Sequence, residues 1–481
     1  MLGFIGTVAA GRFFAKMDTT HSGHNGLDDI FGEPVAKVHQ RYAAYVNHRF
    51  ARVIELIGFK RVFTRAEGAW LWDQEGDRYL DFLGGYSVCN VGRNHPRVKQ
   101  ALIDWLERDG ASLVQMDCSP LAARLGEELA QLTPGDLNTC LFTNSGSETT
   151  EVALKMARKA TRQPRILYAD LGFHGLTYGA LAVSDHDMWR EGFEPLLPGC
   201  EKVPFDDLDA LERELAKRDV AAFITEPIQG EAGVRVPSDS YLPEAARLCR
   251  KYGALLVVDE IQTGFGRTGR WFACNHWGVE PDIMLLSKAL SGGYVPVGAV
   301  VTRRSVFDKM FEDLRHAAVH TTTFGGNAMA MIAALVTIEV MKDENIVEHA
   351  ASAGATLMEG IRQLASRFEM VKDVRGKGLM IGIEFGEPRS LRLKAGWKLV
   401  HRAEGLFGQM IAIPLMRDHR ILTQVAGHNL DVHKLAPPLI IGQDEVDYFL
   451  HAYQAVLTDL HRFPGPLWDL GMTLLKNSIS W

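Results

Sequence analysis

Short apolar runs alternate with longer stretches of helical periodicity between about residues 98 and 326. The stretches 147–161 (SETTEVALKMARKAT) and 241–253 (YLPEAARLCRKYG) predict helices, and the glycine that ends the second is typical of a helix C-terminus. Because strands and helices alternate, we expect an α/β fold with a mainly parallel sheet and helices on both faces. The apolar runs that predict its strands are 139–143 (TCLFT), 165–169 (RILYA), 221–225 (AAFIT), 254–259 (ALLVVD), 283–287 (IMLLS) and 297–301 (VGAVV).

The regions before and after these units predict a smaller α/β domain formed by both chain ends. Helical spacing over residues 33–57 predicts one or two helices, and alternation of aromatic and polar residues over 64–86 predicts a β-hairpin. A long helix pattern follows at 327–344. The 481 residues exceed what one hydrophobic core supports, so we expect two domains. The predicted divisions are a leader and linker (1–32, the linker at 18–32), the N-terminal part of the small domain (33–97), the large domain (98–325) and the C-terminal part of the small domain (326–481).

Composition and net charge indicate which kinds of binding partner and cellular compartment the protein has. The net charge is −7 without a basic block, which argues against nucleic acid as a partner. Six scattered cysteines argue against a disulfide scaffold or a zinc site and favour a reducing, cytoplasmic compartment. The apolar leader (MLGFIGTVAAGRFFAKM) and tail (FPGPLWDLGMTLLKNSISW) are typical of segments that contact a membrane surface, cover a hydrophobic tunnel or pack against a partner subunit.

The first candidate site lies directly after the strand at 139–143. Ser145, Gly146 and Ser147 begin the next predicted helix. Free N–H groups and the positive end of the helix dipole suit a phosphate at this position. An ordinary helix cap, in which a serine hydroxyl accepts a backbone N–H, explains the same residues.

Two further candidates follow predicted strands, where ligands bind in doubly wound sheets. Asp259 ends the most apolar strand and requires a cationic partner if it is buried, although it could also cap the next turn. Lys288 follows the strand at 283–287. Burial would lower its pKa and make its amine a nucleophile that forms Schiff bases, whereas a lysine extending to solvent at a helix start is the alternative. A phosphate cradle, an acidic strand end and a lysine in this order indicate a pyridoxal phosphate site.

From about residue 59 to 450 the chain resembles the class III (ornithine/acetylornithine-type) aminotransferases, pyridoxal phosphate enzymes of fold type I. The resemblance implies a large domain with a seven-stranded, mainly parallel sheet that binds the cofactor, together with a smaller α/β domain. It implies no metal. The matching stretches are SGSE (145–148), FHG (173–175), EPIQGEAGV (226–234), VVDEIQTGFGRTG (257–269), PDIMLLSKALSGG (281–293), TTFGGN (322–327) and KLAPPLII (434–441).

The resemblance also assigns roles to residues. Lys288 is implied to bind the cofactor covalently and to move the proton, and Asp259 to keep the pyridine nitrogen protonated. Thr323 is implied to reach the cofactor phosphate of a neighbouring subunit, which predicts a homodimer with shared sites. The remaining implied cofactor contacts are Gln262 at the ring hydroxyl, Phe173 on the ring face, Gly146 and Ser147 at the phosphate, and Ser145, His174 and Glu226 in the same motifs.

The chain departs from its relatives where they bind substrate carboxylates. Members that use amino acids such as ornithine have an arginine after FHG and another before the PPL segment, but here these residues are Leu176 and Lys434. Lysine offers a point charge instead of the two-pronged arginine geometry. A Glu231–Lys434 pair could still open for an α-carboxylate, whereas a second carboxylate site is lost. Tyr86 is expected either to form a wall of the substrate pocket or to be a packing aromatic residue.

The sequence therefore predicts a transaminase that moves an amino group from an amine or amino acid, such as glutamate or ornithine, to an aldehyde or ketone. The missing arginines favour a large, apolar acceptor, and the chain is similar to aminotransferases associated with hopanoid biosynthesis. Three alternatives stay open: an ornithine or acetylornithine aminotransferase, a mutase or decarboxylase with the same cofactor, and an inactive lipid-binding scaffold.

Overall fold

A computed structural model describes residues 25–402, 405–428 and 431–478. The chain forms two compact units, residues 1–64 and 65–481. Within the described part of the first unit the helices are α1 (Asn25–Phe31), α2 (Val35–Tyr45) and α3 (His48–Leu56). The side chain of Asn47 caps α3 by accepting the backbone N–H of Phe50 at 3.0 Å.

Two predictions can be compared with this first unit. The prediction of one or two helices over residues 33–57 is confirmed by α2 and α3. The prediction of a linker over 18–32 stays a prediction. Residues 25–31 within it form α1, in which Leu27, Ile30 and Phe31 give this polar stretch an apolar side at helical spacing. Residues 1–24, with the predicted leader, lie outside the described residues.

The strands of the second unit confirm the six predicted strands and add others. The first strand begins at Phe63, next to the division at residue 64. The strand that was not predicted in the large sheet, at residues 200–203, has the sequence CEKV, and its charged pair conceals the strand pattern. The bounds are β1 (Phe63–Glu67), β2 (Trp70–Asp73), β3 (Arg78–Asp81), β4 (Leu137–Thr143), β5 (Arg165–Ala169), β6 (Cys200–Val203), β7 (Val220–Thr225), β8 (Leu255–Asp259), β9 (Ile283–Leu286), β10 (Gly298–Arg303), β11 (Val371–Lys377), β12 (Met380–Phe385), β13 (Ile421–Leu422), β14 (Gln424–Val425) and β15 (Val432–Leu435).

The helices of the second unit include the three long helices that the sequence predicts. Gly253 ends the helix at 241–252 with a left-handed backbone, as expected for its C-terminus. The helix bounds are α4 (Gly84–Ser87), α5 (Pro96–Glu107), α6 (Pro120–Leu132), α7 (Gly146–Thr161), α8 (Tyr178–Ala182), α9 (Asp187–Arg190), α10 (Leu208–Leu215), α11 (Tyr241–Tyr252), α12 (Arg304–Met310), α13 (Ala328–Asp343), α14 (Ile346–Ala365), α15 (Leu391–Val400), α16 (Leu406–His419), α17 (Gln443–Leu460) and α18 (Pro466–Ser478), with 3₁₀ turns at Ala273–Trp277, Lys288–Ser291 and Leu314–His316.

A seven-stranded sheet of order β4-β10-β9-β8-β7-β5-β6 forms the centre of the second unit. Strand β10 is antiparallel to both of its neighbours, and the pairs among β6, β5, β7, β8 and β9 are parallel. The fold is therefore the mixed α/β arrangement that the sequence predicts. Because β7, β8 and β9 are parallel neighbours, the residues that follow them meet at one edge of the sheet.

Both chain ends contribute to a second, smaller sheet of order β1-β2-β3-β13. The predicted hairpin is confirmed by the antiparallel pair β2 and β3, and Ile421 of β13 pairs in parallel with Leu80 of β3. A third sheet has the order β11-β12-β15-β14 and carries Lys434 on β15. The domain divisions at residues 98 and 326 stay a prediction.

The C-terminal tail packs against the chain itself. Trp468 is buried, and its indole N–H donates to the carbonyl of Leu460 at 2.9 Å. Leu467 and Leu475 are also buried, and Gly471 lies so close to α16 that an added Cβ would be 2.7 Å from the sulfur of Met410. Membrane or partner contact was expected of the tail, and this expectation is wrong for these apolar residues. In the described part of the chain no helix is both long and apolar enough to cross a bilayer.

Candidate active site

A cavity of about 160 Å³ lies at the carboxyl ends of the central strands. It brings together most of the residues that the sequence singles out, from the starts of α7 and the FHG loop to the ends of β7, β8 and β9. The residues that line it are Ser145, Gly146, Ser147, Phe173, His174, Gly175, Glu226, Glu231, Asp259, Ile261, Gln262 and Lys288.

The N-terminus of α7 forms one end of this cavity. Ser145 is the helix cap, since its hydroxyl accepts the backbone N–H of Glu148 at 3.2 Å. Gly146 and Ser147 follow as the first residues of the helix, whose initial N–H groups have no partner within the helix. A Cβ on Gly175 would lie 2.2 Å from the hydroxyl of Ser147, so only glycine lets the FHG loop approach this closely. The result is a small cradle of donors suited to an anion.

Asp259 is almost fully buried at the end of β8. Its Oδ2 lies 2.7 Å from Nδ1 of His174, and its Oδ1 accepts the backbone N–H of Ile261 at 2.9 Å. The other ring nitrogen of His174, Nε2, is buried and has no hydrogen-bond partner among the described residues. Asp259 therefore has its cationic or hydrogen-bonding partner inside the cavity, as a buried carboxylate requires.

Lys288 follows β9 in a left-handed conformation, with φ of 43°. This conformation is rare for a side chain larger than glycine and marks local backbone strain. Burial lowers the pKa of Lys288, and the nearby charge of Lys434 lowers it further, whereas the carboxylates of Glu231 and Asp259 oppose the shift. The lowered pKa favours a neutral amine, which is the nucleophilic form.

Glu226 lies beside Asp259 in the cavity wall and is held by backbone donors. Its two oxygens accept the N–H groups of Phe173 at 3.0 Å and Gly230 at 2.9 Å. Burial raises the pKa of Glu226 to about 7, and the neighbouring charge of Asp259 acts in the same direction. Glu226 thus fixes the position of the FHG loop while it changes charge near neutral pH.

Glu231 lines the cavity and is paired with Lys434, which does not line it. The ammonium of Lys434 donates to Oε1 of Glu231 at 2.7 Å, and the amide of Gln262 donates to the same oxygen at 3.1 Å. Burial raises the pKa of Glu231, but the charges of Lys434 and Lys288 outweigh burial, so its pKa lies well below the usual range. Lys434 reaches the cavity only through this carboxylate.

Besides Lys434, two predicted site residues do not line the cavity. Tyr86 is 57% exposed and has a positive φ, and it does not line the cavity. Its predicted place in a wall of the substrate pocket stays a prediction. Thr323 is also exposed, and its carbonyl accepts the side-chain amide of Gln115 at 3.3 Å. Its predicted contact with a neighbouring subunit's cofactor stays a prediction.

Trp189 and His428 adjoin the site and were not predicted from the sequence. The indole N–H of Trp189 donates to Nε2 of His428 at 3.1 Å, and both rings contact the edge of Phe173. The two residues are 239 positions apart, and neither belongs to a motif. No local pattern could have identified them.

The lining of the cavity fits pyridoxal phosphate. The cradle at α7 suits the phosphate, Asp259 suits a protonated ring nitrogen, and Lys288 supplies the amine that reacts with the aldehyde. Gln262 offers a further match, because its Oε1 is buried without a hydrogen-bond partner among the described residues and can accept a ring hydroxyl. A Cβ on Gly230 would lie 1.7 Å from this oxygen, so glycine keeps the space open.

Comparisons with known proteins agree with this geometry. The aminotransferase PigE of a Serratia species is 33% identical over 455 residues, which cover 88% of this chain and 53% of PigE, so the chain spans about half of that protein. The putrescine aminotransferase of Pectobacterium atrosepticum is 45% identical over 359 residues, covering 72% of this chain and 76% of the relative. The ornithine aminotransferase of Toxoplasma gondii ME49 superimposes with a TM-score of 0.79 at 31% identity, covering 90% of this chain and 97% of its own.

The cofactor follows from the same comparisons. Another structure of the Toxoplasma gondii ornithine aminotransferase, with a TM-score of 0.75 at 32% identity over 84% of this chain and 92% of its own, is described with pyridoxal phosphate at its active site. The family model for class-III aminotransferases matches residues 57–457, which is most of the chain. The chain therefore belongs to the class-III aminotransferases, which use pyridoxal phosphate to exchange an amino group between an amine and an oxo compound.

Proposed function

We propose that this aminotransferase takes its amino group from a primary amine without an α-carboxylate, with a diamine as the preferred class, and passes it to an apolar aldehyde. The observation that carries the proposal is the buried Glu231–Lys434 pair. Lys434 has no exposed side-chain surface, and Glu231 already takes its charge at 2.7 Å. Among the described residues that line the cavity, Lys288 is the single lysine or arginine. A substrate carboxylate would have no free cationic partner.

We propose the following roles for the site residues. Gly146 and Ser147 bind the cofactor phosphate at the N-terminus of α7. Phe173 lies against the cofactor ring. Asp259, oriented by His174, keeps a proton on the ring nitrogen, because a buried carboxylate stabilises a protonated partner beside it. Gln262 accepts the ring hydroxyl.

Lys288 acts first as the attachment point and then as the acid and base. The bound cofactor supplies an electron sink for negative charge on the carbon next to the transferred nitrogen. The neutral amine of Lys288, which the lowered pKa favours, removes a proton from that carbon. It then returns the proton to the carbon on the cofactor side of the transferred nitrogen.

The 45% identical putrescine aminotransferase supports a diamine donor. Glu231 gives the same donor a partner at its far end, because a second ammonium group can take the place of Gln262 or Lys434 beside this carboxylate. The low pKa of Glu231 keeps it negative at neutral pH, which is the form that attracts a cation. Glutamate carries a carboxylate at the reacting carbon, and ornithine carries one at its α carbon, away from its terminal amine. Both are disfavoured, because among the described residues that line the cavity no cation is free to bind a carboxylate.

Leu176 supports an apolar acceptor. It lies directly after Gly175, and its backbone N–H donates to the hydroxyl of Ser147 at 3.3 Å, which holds it beside the anion cradle. Its side chain is 51% exposed and offers apolar surface where relatives that bind amino acids have an arginine. A large, lipid-derived aldehyde of the hopanoid type fits this surface.

Putrescine and ornithine form a matched pair for the test, since they differ only by the α-carboxylate. The purified holoenzyme is mixed with each, and loss of the visible absorbance of the lysine-bound cofactor is followed against concentration. We expect putrescine to react with at least about tenfold higher efficiency, because a buried carboxylate without a cation costs well over 1.4 kcal/mol. Equal or better reaction with ornithine would refute the proposed donor class.

Product analysis separates transamination from the other reactions of this cofactor. Formation of the amine form of the cofactor together with an oxo product supports a transaminase. Release of carbon dioxide from an amino acid, or movement of an amino group within one molecule, would instead favour a decarboxylase or a mutase.

We also propose a homodimer in which each subunit completes the partner's phosphate site through Thr323. Thr323 lies in an apolar exposed region that includes Val114, Met116 and Phe324, of which Met116 is 98% exposed. A region of this kind is typical of a subunit interface. Light scattering of the holoenzyme tests the dimer. A Thr323→Ala variant that keeps wild-type affinity for the cofactor would contradict the shared site.

A further inference from the structure

The Trp189–His428 pair connects three separate segments beside the cavity. Trp189 lies on α9, and its indole N–H donates to Nε2 of His428 at 3.1 Å. The Nδ1–H of His428 donates to the carbonyl of Leu171, two residues before Phe173, at 2.9 Å. The backbone N–H of His428 donates to the carbonyl of Glu231 at 2.9 Å. His428 thus joins three segments: its imidazole connects α9 with the FHG loop, and its backbone N–H connects to the loop that carries Glu231.

These contacts determine the proton positions on His428. The carbonyl of Leu171 can only accept, so Nδ1 carries the proton, and the indole of Trp189 can only donate, so Nε2 is the acceptor. Burial lowers the pKa of His428, and the stacked ring of His186 lowers it further, whereas Leu171 and the carboxylates of Glu231 and Asp185 act in the opposite direction. The neutral form that the pair needs is therefore favoured at neutral pH.

The pair contacts both sides of the reaction cavity. The ring of Phe173 meets Trp189 edge-on at a centroid distance of 5.7 Å and His428 at 6.2 Å. On the other side, the N–H of Gly427, next to His428, donates to Oε2 of Glu231 at 3.3 Å. Phe173 and Glu231 line the cavity, but Trp189 and His428 do not. The pair can therefore act on substrate only by fixing these two residues.

We infer that Trp189 and His428 are positioning residues, which hold Glu231 and Phe173 at the spacing that the amine donor requires. This inference rests on the proposed function, because it assigns the donor to the Glu231 side of the cavity. A hydrogen bond between partly buried groups stabilises one arrangement by about fivefold over others. Without the bond, the loop at 426–428 is free to move Glu231, and the donor binds a site that is correctly formed for only part of the time.

Three variants and one control test the pair. Trp189→Phe keeps a ring against Phe173 but removes the N–H donor. His428→Asn keeps a donor for Leu171 but cannot reach Trp189. The double variant combines them. Trp70→Phe is the matched control, since the indole of Trp70 donates to Glu445 at 3.0 Å in the small sheet and does not line the cavity.

Two measurements are made on each holoenzyme. In the half-reaction with putrescine, we expect either single variant to raise the apparent dissociation constant about fivefold and to leave the limiting rate within about twofold. We expect the double variant to be no worse than the single variants, because the two residues act as one unit. Unchanged constants, additive losses, or a fall in the limiting rate that parallels a lower melting temperature would overturn the inference.

Hydrogen exchange is the second measurement and needs no substrate. In the peptide that contains Gly427 and His428, we expect faster amide exchange in Trp189→Phe than in the wild type and in Trp70→Phe, because both amides donate to Glu231. This result tests the positioning pair even if putrescine proves not to be a donor. Equal exchange in all proteins would overturn the inference, while failure of putrescine alone would overturn only the proposed donor class.

Discussion

The ammonium group of Lys434 lies 2.7 Å from Oε1 of Glu231, and the lysine side chain is completely buried. In relatives that use amino acids, the position of Lys434 is an arginine that can bind a carboxylate through two parallel hydrogen bonds. Lysine neutralises Glu231 but cannot bind the glutamate and a substrate carboxylate in that geometry. The pair therefore keeps Glu231 charged, and under the proposed function it leaves no cation among the described residues for a substrate carboxylate on this side of the cavity.

Removal of the lysine is predicted to destabilise the protein. Lys434→Met leaves Glu231 buried without its nearest cation, at a cost of about 3 kcal/mol in the free energy of unfolding. The pair lowers the pKa of Glu231, so its contribution is present above the ordinary carboxyl pKa and is lost as the pH falls below it. Urea unfolding of the apoprotein should show the full difference at pH 7.5 and a smaller one in acid.

A double variant distinguishes loss of the ion pair from simple loss of packing. In Lys434→Met/Glu231→Leu the unpaired charge is absent, and we expect most of the lost stability to return. Lys372→Met, at an exposed lysine of β11, should change stability by less than about 0.5 kcal/mol. A double variant as unstable as Lys434→Met would show that the lysine stem, and not its charge, is important.

Replacement of the same lysine by arginine is predicted to change the donor preference. Lys434→Arg restores the two-pronged geometry, so the half-reaction efficiency with ornithine should rise about tenfold relative to putrescine. Lys372→Arg serves as the control and should leave the ratio of the two efficiencies unchanged. If the ratio does not move in Lys434→Arg, a carboxylate site requires more than this one residue.

Lys288→Ala is predicted to abolish transamination. Loss of the amine removes both the attachment point and the base, and we expect the rate to fall by more than about a thousandfold. The visible absorbance of the lysine-bound cofactor should also disappear. Because lysine and alanine both have a Cβ, the left-handed backbone is not further strained by the change. The exposed Lys398→Ala is the control, and retained absorbance in Lys288→Ala would contradict the proposed attachment.

The sequence was sufficient for six of the seven strands of the central sheet and for most of the residues that line the cavity. Asp259 and Lys288 follow short apolar strands, and parallel neighbouring strands must bring such residues together at one edge. The N-terminus of α7 was identifiable for the same reason, since Ser145 and Gly146 separate a strand from an amphipathic helix. Local pattern carries this information because each residue lies at the end of its own strand or at the start of its own helix.

The remaining features depend on contacts between distant segments. Trp189 and His428 are 239 positions apart, and only the folded chain shows that they share a hydrogen bond. Strand β6 escaped prediction because its two charged residues lie at the exposed edge of the sheet. Trp468 was expected to contact a membrane or a partner, but α18 folds back over the chain and buries it. Apolar sequence alone does not tell which surface will cover it.

The close approach of the FHG loop to α7 predicts a specific effect of Gly175→Ala. The added Cβ would lie 2.2 Å from the hydroxyl of Ser147 and should push the cradle open. We expect the dissociation constant of pyridoxal phosphate to rise about tenfold, as overpacking typically costs 1–3 kcal/mol. Gly253→Ala controls for the positive φ, because a Cβ there meets nothing within 4 Å. Equal affinity in both variants would show that the cradle does not bind the phosphate.

Glu226 is predicted to give the apoprotein a pH-dependent stability that Glu226→Gln lacks. Its folded pKa of about 7 lies above the ordinary carboxyl value of 4.5, so the folded protein holds this proton more tightly than the unfolded chain. The free energy of unfolding therefore falls by roughly 3 kcal/mol as the pH rises from about 4.5 to about 7. Above about pH 7 this contribution is constant. Glutamine cannot titrate but still accepts a backbone N–H, so the stability of Glu226→Gln relative to the wild type should increase over this interval. Urea unfolding of both apoproteins at pH 5, 6, 7 and 8 measures the difference in the free energy of unfolding. The control Glu107→Gln, at an exposed glutamate, should differ from the wild type by an amount that does not change with pH. A constant difference between wild type and Glu226→Gln would mean that Glu226 stays ionised throughout, with the N–H groups of Phe173 and Gly230 holding its charge.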